Sequence, residues 1–258
     1  MRYLSIAAVL TALAVLAFVG TDPTAQAQNP AGWGDVKGQV VWGGNDLPEV
    51  KKLDVTKDQE HCLARGAILS EEWVINPTNK GVRWAVVWLI PDPPDGQLAV
   101  HPSLQAVPKD VVVMDQPMCK FEPHVVALRQ GQTLEVKNSA PIVHNVNWAG
   151  IRIRGDNKVI SPNGSIKIDD LKATGFPVII ACNIHPWMKA YVRVFDHPYF
   201  AVTDENGRFE IKNAPAGKCR LVVWQETAGY KSDKNGDPIT IQAGTATDVG
   251  KLELKPAK

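Results

Sequence analysis

The 258-residue chain has no Cys-x-x-Cys-His haem attachment motif, no Gly-rich phosphate loop and no Gly-x-Ser-x-Gly nucleophile elbow. Covalent haem, P-loop nucleotide binding and α/β-hydrolase chemistry are therefore without support. Long charge blocks are missing as well. The 28 Lys and Arg nearly balance 27 Asp and Glu, for a net charge of +1, so nothing points to nucleic acid or an anionic membrane surface. No amphipathic helix longer than two turns can be traced. Glu60 to Leu69 fits a short helix and a loop equally well.

Long apolar runs are limited to one, and it lies at the start. Leu4 to Val19 is an apolar stretch behind the positive Arg2, and Ala25-Gln26-Ala27 is a small-x-small cleavage site. This is the pattern of a signal peptide over residues 1–27, with the mature chain starting at Gln28. The run holds about 16 residues, short of the roughly 20 a span needs; an uncleaved anchor is the alternative. The expected mature protein has no membrane span and resides in the periplasm or the extracellular cell envelope.

What the chain has in quantity is turn residues and short β-branched runs. Nineteen Pro and twenty Gly punctuate segments rich in Val and Ile, which predicts an all-β protein. Residues 34–44, 84–90, 111–114, 125–128, 133–137, 166–168, 176–181 and 189–195 read as strands or strand-turn units. So do 201–211, 219–224, 239–241 and 249–254. Pro91-Asp92-Pro93-Pro94-Asp95-Gly96 breaks the chain and marks a boundary.

One loop between two of these strands carries chemistry. Cys182-Asn183-Ile184-His185-Pro186-Trp187-Met188 places a thiol, an imidazole and a thioether at Cys-x-x-His-x-x-Met spacing. These are the soft and borderline donors that copper prefers, and a blue-copper site takes one Cys, two His and a weak axial Met. The second His must come from elsewhere, and His144 in Asn138-Ser139-Ala140-Pro141-Ile142-Val143-His144-Asn145-Val146 is the obvious source. The plain alternative is that Cys182 is structural and Trp187 and Met188 are core. Zinc fits less well, because its structural sites favour several Cys and do not use Met.

His144-Asn145-Val146 together with Cys-x-x-His-Pro-x-Met resembles the cupredoxins, and the short ligand loop looks most like amicyanin. The resemblance covers roughly residues 107–197. It implies a Greek-key β-sandwich and one type 1 copper held by His144, Cys182 and His185 with Met188 axial. It also implies that Asn145 ties the two ligand loops together. Six His in all are too few for the three-copper cluster of a multicopper oxidase. His61, His101, His124 and His197 read as loop or surface residues, His124 being the least ordinary of them.

Four cysteines need assignment. If Cys182 stays a thiolate, the remaining three cannot all pair. Cys62 and Cys119 lie in irregular stretches and are the favoured disulfide. Cys219 sits in a strand-like run and reads as a small buried hydrophobe.

Residues 198–258 differ in character. Asn206-Gly207 is a hairpin-type turn between two strands. The Thr203-Asp204-x-x-Gly207-x-Phe209 and Pro215-Ala216-Gly217 pattern resembles the transthyretin-like sandwich found as the regulatory domain of carboxypeptidases. Such a module opens with a Gly-x-Val strand and a second apolar strand, and Gly38 to Trp42 and Trp84 to Ile90 supply both. The expected organisation is therefore an N-terminal β segment over 28–99, a copper domain over 100–197 inserted into the second sandwich, and its remainder over 198–258. Tandem domains are the alternative.

Functionally, the donor set leads to an electron carrier rather than an enzyme, since protein would fill every coordination position. The expected exit is the His185 edge, rimmed by Pro141, Pro186 and Trp187. The expected partner is a redox protein such as a c-type cytochrome or a periplasmic dehydrogenase. The alternative is a non-redox binding or structural envelope protein in contact with glycan or protein, with copper stored, vestigial or absent.

Overall fold

The computed structural model describes residues 31–150 and 153–256. The expected signal peptide and the Gln28 start lie outside the described residues. Among them, no helix is long and apolar enough to cross a membrane. The strands are, in order, β1 (Trp33–Trp42), β2 (Val86–Pro91), β3 (Val112–Met114), β4 (Val125–Arg129), β5 (Leu134–Asn138), β6 (His144–Gly150), β7 (Ile153–Ile160) and β8 (Gly164–Ile168). They continue with β9 (Val178–Ala181), β10 (Lys189–Phe195), β11 (Phe200–Val202), β12 (Arg208–Pro215), β13 (Gly217–Gln225), β14 (Gly229–Tyr230), β15 (Asp237–Ile241) and β16 (Ala246–Leu254). The fold is all-β. Among the described residues, the α-helix is the single turn α1 (Gln59–Cys62), and Pro102–Leu104 forms a 3-10 turn.

Four sheets stack as two sandwiches. In the first, the five-stranded sheet β4-β10-β9-β6-β7 faces the three-stranded sheet β3-β5-β8. Val146, Ile180, Ala190, Val192 and Val194 from one sheet meet Met114, Leu134, Val136 and Ile168 from the other. In the second, β12-β1-β16 faces β11-β2-β13-β14, with β15 added beside β13. Val36, Val40, Phe209 and Ile211 there meet Val87, Leu89, Leu221 and Val223. The start of the described chain and its end thus share one sandwich. β1 pairs antiparallel with β12, Gly38 opposite Phe209, and parallel with β16, Val40 opposite Leu252.

A third apolar cluster joins the two sandwiches. Side chains alternate along a strand, and both faces of β10 and β2 are used. Ala190, Val192 and Val194 point into the first core, while Tyr191 and Phe195 meet Val86 and Trp88 of β2 and Val222 of β13. That is why residues 189–195 are apolar almost throughout: a strand buried on both faces loses its polar alternation. Arg193 is buried on the same side, its guanidinium carbon 4.8 Å from the Trp88 ring and 4.9 Å from Phe195.

Two expectations need correction. Asn206-Gly207 is not the turn of a hairpin. β11 pairs with β2 and β12 with β1, so the chain crosses from one sheet to the other at this point. Gly207 (φ +71°) packs into the crossing, and a Cβ there would come 2.1 Å from the Val40 carbonyl oxygen. Backbone bonds between Val40 N–H and the Gly207 carbonyl (2.7 Å) hold it. Second, residues 53–68 join neither sandwich as strands. Val55, Cys62 and Ile68 are buried against the first core, with Leu53 and Leu63 beside them. This stretch lies over one end of the first sandwich as a strap, bridged to it by a Cys62–Cys119 disulfide. Of Glu60 to Leu69, only Glu60, His61 and Cys62 are helical.

Candidate metal centre

β6 and the β9–β10 turn build the site. His144 is the first residue of β6, not a loop residue, and pairs with Ile160 of β7. β9 and β10 pair antiparallel, Ala181 opposite Lys189, so the seven residues between them must fold back tightly. They do so through Cys182 N–H to the Met188 carbonyl (3.2 Å) and Met188 N–H to the His185 carbonyl (2.9 Å). Two β6 side chains tie the turn down: Asn147 donates to Asn183 Oδ1 at 3.1 Å, and Asn145 makes the larger set of bonds. Asn145 Oδ1 accepts from the N–H of Asn183 (2.8 Å) and Ile184 (3.0 Å) and from the Cys182 thiol (3.2 Å). Its amide donates onward to Asn157 Oδ1 at 2.7 Å.

Three donor atoms converge as a result. His144 Nδ1 and His185 Nδ1 are 3.0 Å apart, and Cys182 Sγ lies 3.9 Å from the first and 3.8 Å from the second. All three residues are buried, His144 and His185 with no exposed surface. Met188, 1% exposed, packs in the core that also contains Cys182. First-row metals bind imidazole nitrogen at about 2.0 Å and thiolate at about 2.3 Å. One ion can therefore touch donors up to about 4.1 Å (N to N) or 4.4 Å (N to S) apart, and all three separations fall within that reach. The residues fit a metal, and the soft thiolate with two imidazoles fits copper.

The electrostatics agree with ligand duty. Burial, and next the neighbouring His185, push His144 down to about 4. Burial also lowers His185, against the opposing pull of a hydrogen bond to Asp58. Both rings are thus neutral near pH 7, which leaves a lone pair available for a metal.

The position of His185 corrects the expected exit route. The ring does not reach the surface. Its Nε2–H donates to Asp58 Oδ2 at 2.8 Å, and the strap that carries Asp58 closes over it. Trp187 is half-buried, its ring edge-on to His185 at 5.2 Å and its indole N–H donating to the Cys119 carbonyl at 3.1 Å. Pro141 and Pro186 are exposed, but they have no exposed imidazole edge to surround. Asp58 escaped the sequence reading because no local motif marks it. Only the disulfide at Cys62, one turn away, could have drawn attention to it.

His61 and Lys57, on the strap, lie near enough to act electrostatically on the ligand rings, whereas His124 and Cys219 lie elsewhere. His124 is at the junction between the sandwiches, hydrogen-bonded to Glu226 and 3.9 Å from Glu71. Glu226 also takes Lys189 Nζ at 3.0 Å. Cys219 is buried in β13, and desolvation pushes its thiol up to about 12.

A family model described as polysaccharide lyase family 4, domain II, matches residues 188–249. No curated protein matches the sequence. Several solved structures are similar over part of the chain. An amicyanin from Paracoccus versutus is 22% identical over 38% of this chain and 92% of its own, with a TM-score of 0.30. A purple cupredoxin from Nitrosopumilus maritimus is 14% identical over 33% of this chain and 99% of its own, with a TM-score of 0.29. A copper-containing nitrite reductase from Thermus scotoductus SA-01 is 19% identical over 38% of this chain, with a TM-score of 0.31, and the match spans 25% of that protein.

Proposed function

We propose that the protein is an exported copper protein that carries single electrons. His144, Cys182 and His185 would hold one type 1 copper, with Met188 as a fourth ligand. The observation that carries this reading is the convergence of two imidazole Nδ1 atoms and one thiol within 3.0 to 3.9 Å of one another, all three buried. When bound, such a copper supplies a one-electron Cu(II)/Cu(I) couple.

The chain's own residues prepare the site. Asn145 fixes the 182–184 turn against β6, so Cys182 cannot swing away when the charge at the site changes. Burial of the thiol among Met188, Val146 and Ile180 keeps oxidants and water from it. In the metal-free chain His185, protonated on Nε2 toward Asp58, offers its Nδ1 lone pair, and His144 donates its Nδ1 proton there. That proton must pass to Nε2 of the same neutral ring before Nδ1 of His144 can act as a ligand.

Residues 100–197 are the proposed copper domain and 198–258, with β1 and β2, a carboxypeptidase-regulatory-like sandwich. The proposed setting is the periplasm or the extracellular envelope, and the proposed partner a c-type cytochrome or a periplasmic dehydrogenase. Equilibrium dialysis against copper tests the site: about one copper per chain is expected, lost in Cys182→Ser and kept in His124→Ala. Equal uptake by wild type and Cys182→Ser would refute it.

A further inference from the structure

We propose that Asp58 is a positioning residue of this centre. Its carboxylate fixes His185 in the tautomer that directs Nδ1 at Cys182 and His144, and it favours the more highly charged Cu(II) over Cu(I). The inference rests on the copper reading above.

The local geometry of Asp58 is arranged for this contact. Asp at the start of a helix usually turns its side chain back to cap the first free N–H groups. Asp58 occupies that place before α1, but its side chain makes no capping bond. Its backbone is left-handed (φ 48°), a conformation Asp tolerates better than most residues. The carboxylate reaches His185 Nε2 instead, at 2.8 Å and across 127 residues of sequence.

A closed circuit of contacts holds the pair. The Asp58 carbonyl accepts from Cys62 N–H at 2.9 Å. Cys62 is bridged to Cys119, and the Cys119 carbonyl holds the Trp187 indole, whose ring meets His185 edge-on. His185 has no exposed surface, so water has no approach to its Nε2–H while the strap is closed. Asp58 is the partner of that donor, its own side chain 37% exposed.

The chemistry then follows. A carboxylate accepting the distal N–H of a ligand His fixes the ring's orientation and raises its basicity, and loss of such a partner typically costs 10–100-fold in metal affinity. An added negative charge beside the ligand stabilises Cu(II) more than Cu(I).

The test uses the full mature chain as wild type and Asp58→Asn. Competition with chelators specific for each oxidation state gives the ratio of Cu(II) to Cu(I) affinity. The ratio is expected to fall at least tenfold in Asp58→Asn, which for one electron raises the potential by about 59 mV, while the thiolate absorption band persists. An unchanged ratio with the band retained would overturn the proposal. Long-range 1H–15N NMR of the metal-free wild type gives a second readout that needs no variant. It is expected to show His185 protonated on Nε2 and bare on Nδ1; a proton on Nδ1 would overturn the positioning claim. A wild type that binds no copper would defeat the copper reading and the redox claim with it, and the tautomer would still decide what Asp58 does to the ring.

Discussion

The side-chain oxygen of Asn145 lies 3.2 Å from Cys182 Sγ, and the same atom accepts the N–H groups of Asn183 and Ile184. One amide therefore stands between β6, which carries His144, and the turn that carries Cys182 and His185. Neither segment could form the centre alone, and the buried part of the join is Asn145, with Asn147 adding one exposed bond to Asn183.

Asn145→Ala removes the acceptor for two part-buried backbone N–H groups and one buried thiol. Each donor left unpaired and buried costs about 1–3 kcal/mol. The metal-free variant is expected to lose about 1–3 kcal/mol of stability, read as a lower urea midpoint with an unchanged slope. A midpoint equal to wild type would mean that the turn holds its shape without Asn145.

Trp88 fills the junction between the sandwiches, beside Phe195 at 5.7 Å and under the Arg193 guanidinium. Trp88→Ala should cost roughly 3–5 kcal/mol, and it leaves the buried Arg193 with only one of its two aromatic faces, Phe195. Thermal unfolding should show a lowered midpoint. A shift below a degree would show that the junction contributes little.

Glu226 gives the junction a pH dependence. Burial works to raise its pKa, but the hydrogen bond and charge of His124, with those of Lys189, outweigh burial and hold the carboxyl below its ordinary value of 4.5. A carboxyl depressed on folding adds stability above its unfolded pKa and loses it as pH falls through the folded one. The wild type should thus be more stable than Glu226→Gln near neutrality, with the gap closing below about pH 4.5. Urea midpoints at a series of pH values measure this; a gap that widens toward acid would contradict the sign.

The Cys62–Cys119 bridge spans 57 residues of sequence. Closing a loop of that length restricts the unfolded chain by roughly 4 kcal/mol in the chain-entropy model. The double variant Cys62→Ser, Cys119→Ser should lose about 2–4 kcal/mol. It should also expose His185, read as faster deuterium exchange at its C2 position. No change in that exchange would mean that the strap stays closed without the bridge.

Much of this was legible in the sequence, for physical reasons that also explain the gaps. The ligand loop could be read because Cys182, His185 and Met188 are close in sequence and differ in chemistry from ordinary core residues. β10 could be read because it is buried on both faces. β7 could not: its Arg154, Asp156, Asn157 and Lys158 give an edge strand no apolar alternation. The Asn206-Gly207 turn misled because its local chemistry is the same whether its flanking strands pair with each other or, as here, with β2 and β1. Asp58 and the strap were invisible because their partners lie far away in sequence, brought near by a disulfide and by packing of Val55 and Ile68.

The central claim is that Cys182 is a copper thiolate in a site completed by His144 and His185. The visible absorption spectrum of the copper(II)-loaded mature protein tests it most directly. The account predicts an intense thiolate-to-Cu(II) charge-transfer band that bleaches on reduction and is missing in Cys182→Ser. A wild-type protein that holds stoichiometric copper and remains colourless would contradict it.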